Sequence, residues 1–156
     1  MIRPIIISLA LALTIAPITA VRGQATSDDA VQLATSILTK GARLFDTKDA
    51  GAMAETYTED AEIQLTSREN GELKVAYYKG KTEIRKLYED LFKDAKAIQS
   101  KNAVESARLI RPDILVIHGT FKPDTDSDPL PFVQVRTRKG DRWLMFRLLI
   151  FVLEKD

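Results

Sequence analysis

From Trp143 to Leu153 the chain runs eleven residues with a single charge, Arg147. Gly140-Asp141 marks a tight turn before it. Aromatic and branched apolar residues fill the segment, which reads as a strand. Successive side chains of a strand point to opposite faces. One set here is Leu144, Phe146, Leu148, Ile150 and Val152; the other is Trp143, Met145, Arg147, Leu149 and Phe151. Both sets are apolar, so both faces of this sheet need cover. The expectation is a helical layer on one side and a second copy of the chain on the other, a homodimer formed through the sheet.

The helices come from the first half. Val31, Ala34, Leu38 and Phe45 recur at helical steps, with Ile37 and Leu44 beside them, so a helix is predicted to about Phe45. Thr26-Ser27-Asp28-Asp29 supplies its start. Asp46-Thr47-Lys48-Asp49 breaks it and caps a second, short helix with Ala50, Met53, Ala54 and Tyr57 as its buried stripe. Alternation over Asp60–Ser67 predicts a strand. Asn70-Gly71 separates it from Leu73–Tyr78, and such a pair between alternating segments is a strong hairpin signal. Gly80-Lys81-Thr82 opens a third helix with Ile84, Leu87, Tyr88, Leu91 and Phe92 on one face. Strands are then predicted at about Ile98–Arg111, Ile114–Phe121, Phe132–Arg138 and Trp143–Leu153. The order defines one α+β domain over residues 27–156.

Residues 1–23 stand apart. A basic start at Arg3 precedes an apolar run from Ile5 to Ile18, ended by Pro17 and Arg22. The run is too short for a span of roughly 20 apolar residues and has the form of an export signal. Small residues at Ala20, Gly23 and Ala25 place cleavage near residues 20–25. The expected location is periplasmic or extracellular, with no stable membrane anchor after processing.

Composition removes several chemistries. The chain has no cysteine and one histidine, which excludes disulfides, thiol nucleophiles, thiolate zinc sites and multi-histidine metal centres. Lys+Arg number 23 and Asp+Glu 22, so charge gives no reason to expect nucleic acid as a partner. Asp124-Thr125-Asp126-Ser127-Asp128 spaces acids like the start of a calcium loop, but Pro129 and Val135 stand where glycine and glutamate are needed. It is read as a solvated turn. No metal and no cofactor are expected. Arg136, Arg138, Lys139 and Arg142 are read as a solvated basic hairpin that discourages edge pairing.

Helix, short helix, hairpin, helix and curved sheet in this order resemble the nuclear transport factor 2-like superfamily, in particular its SnoaL-like and ketosteroid-isomerase-like branch. The matching segments are Phe45–Asp49, Tyr57–Ile63, Gly80–Arg85, Pro112–Gly119 and Gly140–Trp143. The resemblance implies a cone-shaped, curved antiparallel sheet wrapped around three helices, the cystatin-like α+β roll, with a pocket at its wide end. It also implies isomerases, cyclases, dehydratases and non-enzymes as relatives. The isomerase base would fall at Leu65 and a helix tyrosine near Gly41, and neither residue can do that work. Relatives carry a polar pocket residue where Arg147 stands.

Ligand-binding candidates are therefore Arg147, Tyr57, Trp143, Met145 and His118. Arg147 reads either as a fork for a ligand anion or as half of a salt bridge to a protein acid. Catalytic candidates are His118, a base or acid near neutral pH, with Tyr77 or Tyr78. Tyr77 and Tyr78 point to opposite faces, so only one can serve a given pocket. Three functions follow as expectations. The first is binding of a small amphipathic or anionic ligand in an apolar pocket. The second is an isomerase-, cyclase- or dehydratase-type enzyme using His118 and a tyrosine. The third is a dimeric interaction module whose pocket is filled by Trp143, Met145 and Phe151.

Overall fold

The computed structural model describes residues 27–93, 99–124 and 127–152. The expected export signal, Ile98, residues 125–126 of the acidic loop and Leu153 lie outside the described residues. The elements are α1 (Ser27–Asp46), α2 (Ala50–Ala54), β1 (Tyr57–Glu69), β2 (Glu72–Lys79), α3 (Gly80–Phe92), β3 (Lys101–Arg111), β4 (Ile114–Lys122), β5 (Leu130–Lys139) and β6 (Arg142–Val152).

One six-stranded, curved and unclosed sheet has the order β2-β1-β6-β5-β4-β3. It is antiparallel except at the β1–β6 seam, which is parallel. That exception follows from the topology. The β1–β2 hairpin and α3 precede the β3–β6 meander, and the meander's last strand returns to lie beside the first. Asn70 and Gly71 turn the first hairpin with φ of 54° and 81°. Both residues tolerate the left-handed region that a two-residue turn of this type demands.

The core lies between the helices and the concave face. α1 buries Ala30, Ala34, Leu38, Ala42 and Phe45. Its C-terminal end is tied to the sheet at the entry to β3. Ser100 Oγ donates to Asp46 Oδ1 at 2.7 Å, and Asn102 Nδ2 donates to the Leu38 carbonyl at 3.1 Å. α3 buries Ile84, Tyr88 and Phe92. Phe45 meets Phe92 and Phe121 edge-on, with ring centroids 5.1 and 5.0 Å apart. Such pairs add about 0.5–1.5 kcal/mol each beyond their buried area.

The short second helix ends earlier than its apolar spacing predicts. It is capped at Asp49, whose Oδ1 accepts from Ala52 N at 2.8 Å, and stops at Ala54. Tyr57 is not on its stripe but opens β1. The cause is the sheet: Met145 N donates to the Thr56 carbonyl at 2.8 Å, which pulls the backbone into the ladder one residue before Tyr57.

β6 carries the second departure. Val135 pairs with Arg147 and the next residue, Arg136, pairs with Met145, so Phe146 has no residue opposite it. This is a β-bulge, which re-aims the side chains on either side. Trp143 and Met145 therefore share the concave face with Leu148, Ile150 and Val152. The strict two-set alternation predicted for this strand does not hold across Phe146.

Candidate functional site

A cavity of about 710 Å³ lies between the helices and the concave face of the sheet. Its size suits a small organic ligand. α1 supplies Leu33, Ile37, Gly41 and Leu44. Their spacing of four, four and three residues makes one helical stripe. The helix thus has two adjoining apolar stripes, the buried one, whose Leu38 and Phe45 also reach the cavity, and this one. Gly41 is the gap in the second: a Cβ built there meets nothing within 4 Å. Leu87 and Leu91 of α3 and Leu65 of β1 line the wall too. Leu65 and Gly41, where the family resemblance puts a base and a tyrosine, do face the cavity and bring no titratable group to it.

The buried polar residues of the wall form one corner, Tyr57, Tyr88, Gln134 and Arg136; Ser36, Lys40, Thr56, Asn102, Asp141 and Arg142 also line the cavity and are more exposed. The Tyr57 and Tyr88 hydroxyls are 2.7 Å apart and buried. Burial pushes the Tyr57 hydroxyl pKa well up, Tyr88 adds to the rise, and the Arg136 charge opposes it. Burial likewise raises the Tyr88 pKa against the pull of Tyr57 and Arg136. Both hydroxyls are protonated at neutral pH and act as hydrogen-bonding groups. Arg136 is 6% exposed. Its Nε donates to Gln134 Oε1 at 2.9 Å, and its Nη1 reaches the Trp143 carbonyl at 3.4 Å. Burial lowers its pKa to about 10, with the tyrosines opposing, so it stays charged at neutral pH.

Three of the expected ligand-binding residues, Tyr57, Trp143 and Met145, line this cavity. Two do not. Arg147 lies past the bulge on the outer face, with its guanidinium over the Phe146 ring at 5.1 Å and an ion pair to Glu62. Burial works to raise the Glu62 pKa, but hydrogen bonds from Arg147 and Lys79 outweigh it and leave it lowered. Of the two readings of Arg147, the geometry matches the salt bridge. His118 is exposed on the outer side of β4, across from Ser106 and Val133. Strand alternation sends its neighbours Ile117 and Gly119 inward and His118 out. Tyr77 is 53% exposed with Lys79 Nζ over its ring, and Tyr78 packs against the core without reaching the cavity. The expected proton-transfer set of His118 with Tyr77 or Tyr78 is therefore not assembled at the cavity. Nor is the pocket filled: Trp143 and Met145 form its wall, and Phe151 is not part of it.

Arg136 is the residue that sequence reasoning misplaces. Its neighbours Arg138, Lys139 and Arg142 make it look like part of a solvated hairpin, but it is buried. The available signal is its phase: Phe132, Gln134 and Arg136 share one face of β5, and Phe132 is 3% exposed.

This arrangement, a curved sheet closed by three helices over a cavity, is the nuclear transport factor 2-like, cystatin-like fold. Similar solved structures show the same fold. A domain of unknown function with a cystatin-like fold from Nostoc punctiforme superposes with a TM-score of 0.60 at 13% identity, over 81% of this chain and 78% of that one. An NTF-2 like protein of unknown function from Shewanella oneidensis gives 0.58 at 20% identity, over 80% and 98%. Aln2 from a Streptomyces species gives 0.54 at 13% identity, over 76% and 86%. No family model and no curated protein matches the sequence.

Proposed function

We propose that this domain binds a small amphipathic molecule in the cavity under α1 and α3, and that it does so as a binding protein rather than as an isomerase. The observation that carries the reading is the cavity itself: about 710 Å³, walled largely by aliphatic and aromatic side chains, with its buried polar groups gathered in one corner. Few, convergent polar groups in an apolar hollow are the general form of a ligand site. The same reading takes residues 1–23 as an export signal, so the domain would meet its ligand outside the cytoplasm.

The test is occupancy. N-phenyl-1-naphthylamine, a neutral fluorophore that brightens in apolar surroundings, is expected to bind the native protein. Gly41→Phe places a ring in the open space beside Gly41 and should weaken dye binding by about tenfold or more, a loss of ~1.4 kcal/mol or greater. Circular dichroism should show the fold retained. A folded Gly41→Phe protein with native dye affinity would mean the dye sits elsewhere, and the cavity would lose its role.

A second reading concerns assembly. Strand alternation turns Val116, Val133, Val135, Leu149 and Phe151 to the outer face of the sheet. Leu73, Val75 and Tyr77 of the edge strand β2 extend that face at 63%, 45% and 53% exposure. An apolar face of this breadth favours a second copy of the chain as its cover. Light scattering on the purified protein should give a dimer mass, and Val135→Lys should shift it to monomer. A monomer for the native chain at micromolar concentration would remove this reading and leave the ligand site untouched.

A further inference from the structure

Resting on the reading of the cavity as a ligand site, we propose that its ligand is a monocarboxylate with an apolar body. The carboxylate would dock on Arg136, supported by the Gln134 amide and the Tyr57–Tyr88 pair, and the body would lie along Leu33, Ile37 and Leu87.

Arg136 lacks a counter-charge: among the described residues no carboxylate lies within the 4.0 Å of an ion pair with it. By contrast Arg147, on the outer face, has Glu62. A buried guanidinium without a counter-charge is an expensive arrangement, and a bound anion would offset that cost. A guanidinium has five N–H donors. Arg136 spends one on Gln134 and a second, over a long 3.4 Å, on the Trp143 carbonyl. The remaining donors all sit on the two Nη atoms, the pair that grips a carboxylate with two parallel bonds.

Its neighbours offer donors as well. Gln134 must turn Oε1 toward the Arg136 Nε–H, since a guanidinium can only donate. That fixes the amide and leaves its NH2 group for another acceptor. In the tyrosine pair one hydroxyl proton occupies the shared 2.7 Å bond. The second has no acceptor among the described residues. The corner is therefore rich in protons and poor in lone pairs. A group that only accepts, and carries one negative charge, completes it. An alcohol brings a proton of its own with no partner. An alkylammonium adds a second positive charge beside the first. A phosphate dianion brings two negative charges to one guanidinium.

Decanoate, decan-1-ol and decylammonium share a chain and differ in the head, so they separate these cases. Each would be titrated against N-phenyl-1-naphthylamine bound to the native protein at neutral pH. Decanoate should displace the dye about tenfold more tightly than decan-1-ol, and decylammonium least well, as charge-assisted hydrogen bonds imply. Arg136→Met should bring decanoate down to the level of decan-1-ol and leave decan-1-ol unchanged. Should that variant misfold, Arg136→Lys and Tyr88→Phe carry the test, each expected to weaken decanoate several-fold and decan-1-ol hardly at all. Equal affinity for acid and alcohol in the native protein overturns the carboxylate proposal while the cavity reading stands. So does a preference for acid that survives in a folded Arg136→Met protein. If none of the three displaces a dye whose binding Gly41→Phe weakens, the head-group proposal falls and the cavity remains. If the dye itself does not bind, the cavity reading falls first.

Discussion

Replacing Arg136 with methionine is expected to stabilise the ligand-free protein by about 1–2 kcal/mol, read as a higher urea midpoint with an unchanged slope. Most substitutions of buried residues act the other way. Burial here lowers the arginine pKa to about 10. That depression marks the charged form as disfavoured in the fold, and replacing buried charge by an apolar side chain of similar volume is often neutral or stabilising by about 1–4 kcal/mol. The variant loses the bond from Nε to Gln134 Oε1; because Gln134 lines the cavity, water there can replace the donor, which keeps the loss near about 1 kcal/mol. Methionine is flexible enough to occupy the same channel without strain. A residue whose removal stabilises the fold is one held there for another reason, the usual relation between a binding site and its scaffold. Saturating decanoate should close the gap, because a ligand bound only by the native state stabilises it by mass action. A variant less stable than the native protein by about 1 kcal/mol or more, the size of one net hydrogen bond, would make Arg136 a structural brace between β5 and β6.

Gly119→Ala should cost about 3 kcal/mol, the upper end of what overpacking does. A Cβ at Gly119 would stand 2.1 Å from the Ala103 carbonyl oxygen and 3.0 Å from Phe132 Cζ. The first is the backbone of the adjacent strand, where β3 is irregular between Val104 and Ser106. A side chain could turn aside, but a carbonyl fixed in a ladder cannot. Relief requires β3 and β4 to separate, which breaks sheet hydrogen bonds near the buried Leu115 and Ile117. Urea unfolding monitored by Trp143 fluorescence measures the loss. A change below about 0.5 kcal/mol, the range of neutral surface substitutions, would show that the two strands can part cheaply here.

Much of the fold is open to sequence reasoning because its signals are local. The Val31, Ala34, Leu38, Phe45 spacing, the Asn70-Gly71 turn and the Gly80 helix start each depend on a few neighbours. The Leu65 and Gly41 positions are legible through the family resemblance. What escapes is phase. In β6 one unpaired residue, Phe146, exchanges the faces of everything beyond it, and a strand apolar on both sides gives no sign of the exchange. That moves Arg147 outward. In β5 the valines at 133 and 135 face out while Gln134 and Arg136 face in, so hydrophobicity alone points the wrong way. His118 follows the same rule, since Val116 and His118 share the outer side of β4 with no apolar contrast to mark it. Tyr57 reads as helical because its spacing from Met53 and Ala54 fits a helix, and the contact that makes it a strand residue comes from Met145, far along the chain.

The parallel seam between β1 and β6 has a kinetic consequence. It joins Tyr57 to Met145 and Glu62 to Arg147, partners more than half the chain apart. By contrast the β1–β2 hairpin with α3, and the β3–β6 meander, each pair with near neighbours in sequence. Contacts between distant residues are the slow ones, since loop closure precedes any gain from them. The seam, with the packing of α1 on β3, is therefore expected to close late, after the β1–β2 hairpin with α3 and the β3–β6 meander have formed. Until then β6 is an open edge carrying Leu149 and Phe151, the kind of edge that pairs with other chains. The cavity draws Leu65, Leu87 and Tyr88 from one half and Arg136, Trp143 and Ile150 from the other. It comes into being only when the seam zips shut, so neither half offers a ligand anything to hold, and a newly made chain passes through its most adhesive moment before it can bind.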